Sequence, residues 1–81
     1  MKEITTTDMA VLKHALGLDR NKKPYRNHFA AAHDTDDYEA CERLVVAGLM
    51  TKGNDLGYGD LFHATKAGEK AATDAVEGGG A

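Results

Sequence analysis

The segment DTDDYEACERLVVAGLM at residues 34–50 restricts the fold more than any other part of the chain. Apolar residues recur there at the spacing of one helix face, at Tyr38, Cys41, Leu44, Val45 and Leu49. Asp36 or Thr35 can cap its start, and Glu39 can complete a capping box with Asp36. Gly48 followed by Leu49 is typical of a helix end with a hydrophobic partner. The segment therefore predicts an amphipathic helix with an encoded start and stop.

The chain before this helix carries one clear element and one ambiguous one. TTTDMAVLKHALGL at residues 5–18 predicts a helix that one of its three threonines caps and that Gly17 ends. Pro24 interrupts any helix through the connector DRNKKP that follows. Asn27 could cap a short helix through His33, with Tyr25 and Phe29 buried on one side.

The residue pattern after position 48 is no longer that of a helix. GLMTK and LFHAT are short strand candidates, and GNDLGYGD between them disfavours a helix, so we expect a hairpin with a flexible tip. TKAGEKAATDAV at residues 65–76 then predicts a helix capped by Thr65. In that helix four apolar residues are expected to pack, namely Ala67, Ala71, Ala75 and Val76.

The length of 81 residues fits one domain, predicted over 1–76, with a disordered tail at 77–81. The hydrophobic content of 42% supports a small core, and the single Cys41 fits a reducing cytoplasm. We find no signal peptide or membrane span, and we predict a cytoplasmic protein. The predicted class is α+β and mostly α, with three to four helices and a two-stranded wing.

The order helix, short helix, helix, hairpin, helix resembles a winged helix. LVVAGLMTK followed by LFHATKAGEKAA is similar to the C-terminal half of MarR-type and PadR-type regulators, whose Thr-x-x-Gly-x-x-Ala segment corresponds to Thr65, Gly68 and Ala71. LKHALGL, PYRNHF and AGLM resemble small uncharacterised proteins encoded by phages and prophages. This resemblance implies a phage or prophage origin, and hence the cytoplasm of a bacterial host.

The resemblance to regulators implies that the helix before the wing reads DNA. In this chain that helix opens with Asp36, Asp37, Glu39 and Glu42, against Arg43 alone. Phosphates bind mainly Lys and Arg, so this helix would face repulsion from DNA. The fold resemblance therefore does not carry DNA binding with it.

Basic charge is concentrated in RNKKPYRNHFAAAH at residues 20–33. The net charge is −3, and the rest of the chain has six basic against thirteen acidic residues, or −7. The stretch could contact phosphates, assisted by the wing, and the candidate residues are Arg20, Lys22, Lys23, Arg26, Lys52 and Tyr58. Alternatively it is a solvated connector whose charges pair with the acids at 34–42, while Tyr25 and Phe29 anchor the fold and Arg26 is structural.

The acidic helix is a second candidate interaction surface. It could dock a basic surface of a partner protein through Asp36, Asp37, Glu39, Glu42 and Arg43, or it could simply be a capped and solvated face. No spacing of His and Cys fits a metal site, and no catalytic motif is present, so we expect no metal, no cofactor and no enzymatic activity. The sequence predicts a binding module for a protein partner, with DNA binding through residues 20–26 as the alternative. A monomer and a homodimer are equally compatible with it.

Overall fold

The computed structural model describes residues 4–79, which form three helices and a three-stranded antiparallel sheet. The helices are α1 (Thr6–Leu16), α2 (Asp36–Val46) and α3 (Lys66–Gly79), and the strands are β1 (Phe29–Ala32), β2 (Met50–Asp55) and β3 (Gly59–Ala64). The strand order is β1-β3-β2, so the last strand of the chain lies in the centre. The prediction of a small α+β domain is confirmed.

The segment after the connector is a strand, and the short helix predicted at 27–33 is wrong. β1 pairs with β3 over four residues, from Phe29 opposite Phe62 to Ala32 opposite Gly59. The predicted two-stranded wing is therefore part of a three-stranded sheet. A seven-residue helix would be marginal by itself, whereas pairing with β3 supplies partners for the same backbone groups.

Asn27, two residues before β1, extends this pairing through its side chain. The Ala64 amide donates to Asn27 Oδ1 at 2.7 Å, and Asn27 Nδ2 donates to the Ala64 carbonyl at 3.1 Å. Asn27 thus binds the end of β3 through its side chain, and it is not the helix cap that its position suggested.

The ends of α1 follow the predicted signals. Thr5 is the N-cap, and its hydroxyl accepts from the Asp8 amide at 3.0 Å, while the Asp8 carboxylate accepts from the Thr5 amide at 3.3 Å. This capping box was not anticipated. At the other end Gly17 adopts φ 80°, the left-handed conformation in which glycine has no steric cost.

In α2 the cap is Thr35, whose hydroxyl accepts from the Tyr38 amide at 3.1 Å. The predicted capping box of Asp36 with Glu39 is wrong. Thr35 is the N-cap, so the third helical position is Tyr38 and not Glu39. The predicted stop is confirmed, since Gly48 has φ 80° and the Leu49 amide donates to the Leu44 carbonyl at 2.8 Å.

The core lies between the helices and one face of the sheet. It contains aliphatic side chains of α1 and α2 with Phe62 of β3 at the centre, and its fully buried large members include Leu12, Leu16, Leu44 and Met50. Cys41 is buried there, as predicted, and burial raises the pKa of its thiol to about 12. A thiol that stays protonated is a small apolar core residue and not a nucleophile.

The position of α3 depends on its close approach to the segment between α2 and β2. The Thr65 hydroxyl accepts from the Gly68 amide at 3.1 Å and donates to the Gly48 carbonyl at 2.7 Å, so it caps α3 and ties it to the end of α2. Gly68 is buried, and a Cβ atom there would lie 2.0 Å from the Leu49 carbonyl oxygen. The Thr-x-x-Gly pattern thus has a packing explanation.

The buried face of α3 agrees with the predicted one only in part, since Val76 packs against the core as expected. Ala72 is fully buried, whereas Ala67 is exposed and was wrongly predicted to pack. The backbone of α3 continues to Gly79, while residues 80 and 81 of the predicted tail lie outside the described residues. None of the helices within residues 4–79 is long and apolar enough to cross a membrane.

Gly68→Ala should reverse the usual effect of this substitution in a helix. Alanine normally favours a helix by about 1 kcal/mol relative to glycine, but here the added methyl group collides with the Leu49 carbonyl. We expect a loss of about 2 kcal/mol in the free energy of unfolding, measured by urea denaturation. The control Ala67→Gly should cost about 1 kcal/mol, and a stabilised Gly68→Ala variant would contradict the packing described.

Candidate partner-binding surface

The second half of the basic stretch closes the C-terminal end of α1. The Tyr25 amide donates to the Leu16 carbonyl at 3.1 Å, and the His28 amide donates to the Ala15 carbonyl at 3.0 Å. Arg26 donates from Nε and a terminal nitrogen to the His14 carbonyl, at 3.1 and 2.7 Å. These bonds fill carbonyl positions that a helix end leaves open.

Arg26 therefore has a structural role. Besides its two bonds to α1 it lies 4.0 Å from an oxygen of Asp19, and its guanidinium lies 5.3 Å from the centre of the Tyr25 ring. Asp19 in turn accepts from His14 Nδ1 at 2.7 Å, which lowers the pKa of the Asp19 carboxyl. Of the two interpretations of Arg26, these contacts agree with the structural one, and its partner is the end of α1.

Tyr25 anchors the connector differently from the prediction. Its side chain is 55% exposed, so the predicted burial of Tyr25 is wrong, although Phe29 is partly buried against the core. The ring lies over Gly17, where a Cβ atom would come within 2.2 Å of it. Gly17 ends α1, and because it has no side chain the Tyr25 ring also packs directly against its backbone.

The first half of the stretch is open to solvent. Arg20, Lys22 and Lys23 are exposed, and none forms an ion pair within residues 4–79. The acids at 34–42 do not pair with them. The two groups belong to different ends of the sheet, since the connector enters β1 at Phe29, and the acids follow the other end of β1 at Ala32.

The wing tip lies at the same end of the sheet as the acids at the start of α2. The turn at 56–58 joins β2 to β3, and the His33 amide donates to the Tyr58 carbonyl at 2.9 Å. At the opposite end of β3, Asn27 binds Ala64. The six residues of β3 span about 20 Å at the rise of an antiparallel strand. Tyr58 is therefore separated from the basic connector by the length of the sheet.

Lys52 takes part in a cluster between the sheet and α2. The Tyr38 hydroxyl donates to Asp60, which is 7% exposed, and Lys52 Nζ lies 3.9 Å from the same carboxylate and 5.5 Å from the centre of the Tyr38 ring. The bond to Asp60 raises the pKa of Tyr38, and the neighbouring Tyr38 raises the pKa of Lys52. The charge of Lys52 is directed toward these partners, although half of its side chain remains exposed.

Arg43 forms an ion pair with a carboxylate on another helix. Its guanidinium donates to both oxygens of Asp8, with bonds at 2.7, 2.9 and 3.1 Å. Asp8 is 0% exposed. These bonds lower the pKa of the Asp8 carboxyl and raise that of Arg43. Arg43 thus joins α2 to the start of α1, which supplies a structural role for a residue predicted to bind a partner.

The acids of α2 remain exposed. Asp36, Asp37, Glu39 and Glu42 form no ion pair within residues 4–79. The outer face of α2 continues from Glu39 and Glu42 to Val46, which is 70% exposed. At the wing tip Leu56 and Tyr58 are 36% and 61% exposed. We call Asp36, Glu39 and Glu42 together with these two turn residues the acidic wing surface.

The roles of three residues that organise this region were not predicted, namely Asp8, Asn27 and Asp60. The pattern Thr5-x-x-Asp8 is a capping box and could have indicated Asp8. The partners of Asn27 and Asp60 lie 37 and 22 residues away, and no local pattern predicts them. Within residues 4–79 no group of three His, Cys, Asp or Glu side chains could hold a metal ion.

No family model, curated protein or solved structure matches this chain. The geometry of the described residues is therefore what bears on function.

Arg43→Met should destabilise the protein in a pH-dependent way. The native pKa of Asp8 is below its usual 3.8, so the Asp8–Arg43 pair stabilises the fold above that value and loses its contribution as the pH falls through the native pKa. Without Arg43 the carboxylate is buried and uncompensated, and we expect Tm to fall by about 10 °C at neutral pH.

The difference in Tm between Arg43→Met and wild type should shrink below about pH 4, because protonated Asp8 needs no cation. Calorimetry at several pH values measures it. Arg20→Met removes an exposed arginine without an ion pair and should leave Tm unchanged. A pH-independent difference for Arg43→Met would show that the charge pair is not the cause.

Proposed function

We propose that the protein is a non-catalytic binding module that engages a protein partner through the acidic wing surface. The observation that carries this proposal is which side chains lie near the acids of α2. Their only basic neighbour along α2, Arg43, is bound to buried Asp8. The exposed Leu56 and Tyr58 lie at the same end of the sheet as the start of α2.

The chemistry of the surface indicates the kind of partner. Exposed tyrosine and leucine side chains supply apolar contact area, and tyrosine is enriched at interface centres. The carboxylates of α2, which form no ion pair within residues 4–79, favour a basic partner and speed its association. A basic surface with an apolar depression fits both features. A winged-helix-like arrangement and a phage or prophage origin stay predictions.

DNA binding has less support. Of its six candidate residues, Arg26 binds the end of α1 and Lys52 faces Asp60 and Tyr38. Tyr58 lies at the end of the sheet opposite the connector. Arg20, Lys22 and Lys23 remain, and three phosphate contacts confer little affinity at physiological salt. The alternative stays a prediction that rests on those three residues.

The proposal is tested by capture of partners from a bacterial lysate on immobilised protein, compared between charge-reversed variants. Glu39→Lys with Glu42→Lys should reduce retention of the specific partner by about tenfold or more. Tyr58→Ala should reduce it independently, because it removes a large exposed contact. The matched control is Lys22→Glu with Lys23→Glu, which reverses two charges at the other end of the sheet and should retain the partner.

Circular dichroism shows for each variant whether it is folded. A partner retained by both acidic-wing variants would contradict the proposal. Titration of labelled duplex DNA at about 50 and 200 mM salt addresses the alternative. Binding that falls steeply with salt and is lost in Lys22→Glu with Lys23→Glu would favour DNA as the ligand.

A further inference from the structure

A buried hydrogen bond joins α2 to the base of the wing. The Tyr38 hydroxyl donates to the carboxylate of Asp60, and the two residues are only 8% and 7% exposed. Tyr38 lies in the first turn of α2, and Asp60 is the second residue of β3. Burial of a carboxylate is costly, so this contact does not follow from hydrophobic packing alone.

The hydrogen bonds within the wing tip connect it firmly to Asp60. Asp55 and Asp60 form the last strand pair before the turn. Within the turn, Asp55 Oδ1 accepts from the Gly57 amide at 2.7 Å, and the Leu56 amide donates to the Gly59 carbonyl at 2.8 Å. A contact that fixes Asp60 therefore also restricts the exposed residues of the turn.

The segment at residues 33–38 holds the wing at two points. The His33 amide donates to the Tyr58 carbonyl at 2.9 Å, and Tyr38 binds Asp60. The rings of His33 and Tyr38 lie against each other, with their centres 4.9 Å apart. The same segment begins α2, so the wing tip and the first acids of the helix are attached to one short piece of chain.

Lys52 compensates the charge of Asp60 from the neighbouring strand. Its Nζ lies 3.9 Å from the oxygen that accepts the Tyr38 hydroxyl and 5.5 Å from the centre of the Tyr38 ring. The bond to Asp60 raises the pKa of Tyr38, so its hydroxyl stays a donor throughout the neutral range. Side chains of α2, β2 and β3 thus meet in one cluster whose buried polar groups have partners.

We propose that the Tyr38–Asp60 bond is the positioning contact of the acidic wing surface, and that it holds Leu56 and Tyr58 in a fixed place relative to the acids of α2. This inference rests on the proposed function, because the two halves act jointly only on a partner that touches both. A surface that is already ordered loses less conformational entropy when it binds. Tyr38 and Asp60 are buried, so they act without contacting the partner.

Backbone order parameters from NMR relaxation test the positioning role without a partner. Tyr38→Phe removes only the hydroxyl, and order parameters at residues 56–58 should fall from about 0.85 toward 0.6 or below. A contact that only stabilised the fold would lower Tm and leave them unchanged. Asp60→Asn keeps an oxygen that accepts from Tyr38 and should keep the turn rigid, whereas Asp60→Ala should resemble Tyr38→Phe. Tyr25→Phe, which removes an exposed hydroxyl at the other end of the sheet, is the matched control.

The second measurement is the affinity for the protein that wild type retains from a bacterial lysate and that Glu39→Lys with Glu42→Lys loses. Tyr38→Phe should weaken its binding by about tenfold, because the loosened wing has to be ordered on binding. Every exposed residue of the acidic wing surface is unchanged in that variant. Asp60→Asn should bind like wild type.

A wing tip that stays rigid in Tyr38→Phe would overturn the positioning role, and so would a loosened tip with unchanged affinity. If Tyr38→Phe fails to fold by circular dichroism, Asp60→Ala against Asp60→Asn makes the same comparison. Failure of the proposed function gives a different result, since no retained protein then distinguishes wild type from Glu39→Lys with Glu42→Lys. That result overturns both proposals, whereas a rigid tip overturns only this one.

Discussion

The carbonyl groups at the end of α1 determine where the rest of the chain goes. Tyr25, Arg26 and His28 bind three consecutive carbonyls, those of Leu16, His14 and Ala15. Unfilled carbonyls at a buried helix end are costly, so these contacts hold the connector against α1. The chain then leaves in an extended conformation, and Asn27 and Phe29 are delivered to the edge of β3.

This closure separates the charges of the molecule. Since β1 begins beside the end of α1 and finishes beside the wing tip, the basic connector lies at one end of the sheet and the acids of α2 begin at the other. The two arginines best suited to an external anion, Arg26 and Arg43, are used internally. What remains exposed is a small basic segment and a larger acidic surface with an aromatic residue beside it. This division favours a protein partner over DNA.

The parts of the fold that sequence could predict are those fixed within one element. Apolar spacing, hydroxyl caps and the glycines at 17 and 48 locate α1 and α2, and the glycine-rich tip locates the hairpin. β1 escaped prediction because FAAA has no local strand preference and depends on β3, about 30 residues later. Alanine favours helices when no partner is present. Tertiary pairing decided the outcome.

The candidate site divides in the same way. The exposure of the α2 acids follows from their position on a capped amphipathic helix, so sequence could predict it. Arg43 is bound by Asp8, which lies 35 residues earlier, and Lys52 lies near Asp60 across the hairpin. Charge counts along the chain therefore overestimated the cations available to a ligand. Only contacts distant in sequence distinguish a structural arginine from a binding one.

Amide hydrogen exchange, resolved by residue with NMR at low protein concentration, tests most directly whether a strand follows the connector. The strand predicts slow exchange at Ala31 and His33, whose amides face β3, and fast exchange at Ala30 and Ala32, whose amides face outward. Uniform protection from Ala30 to His33 would indicate a helix. It would contradict the separation of the connector from the wing, and with it the account of function.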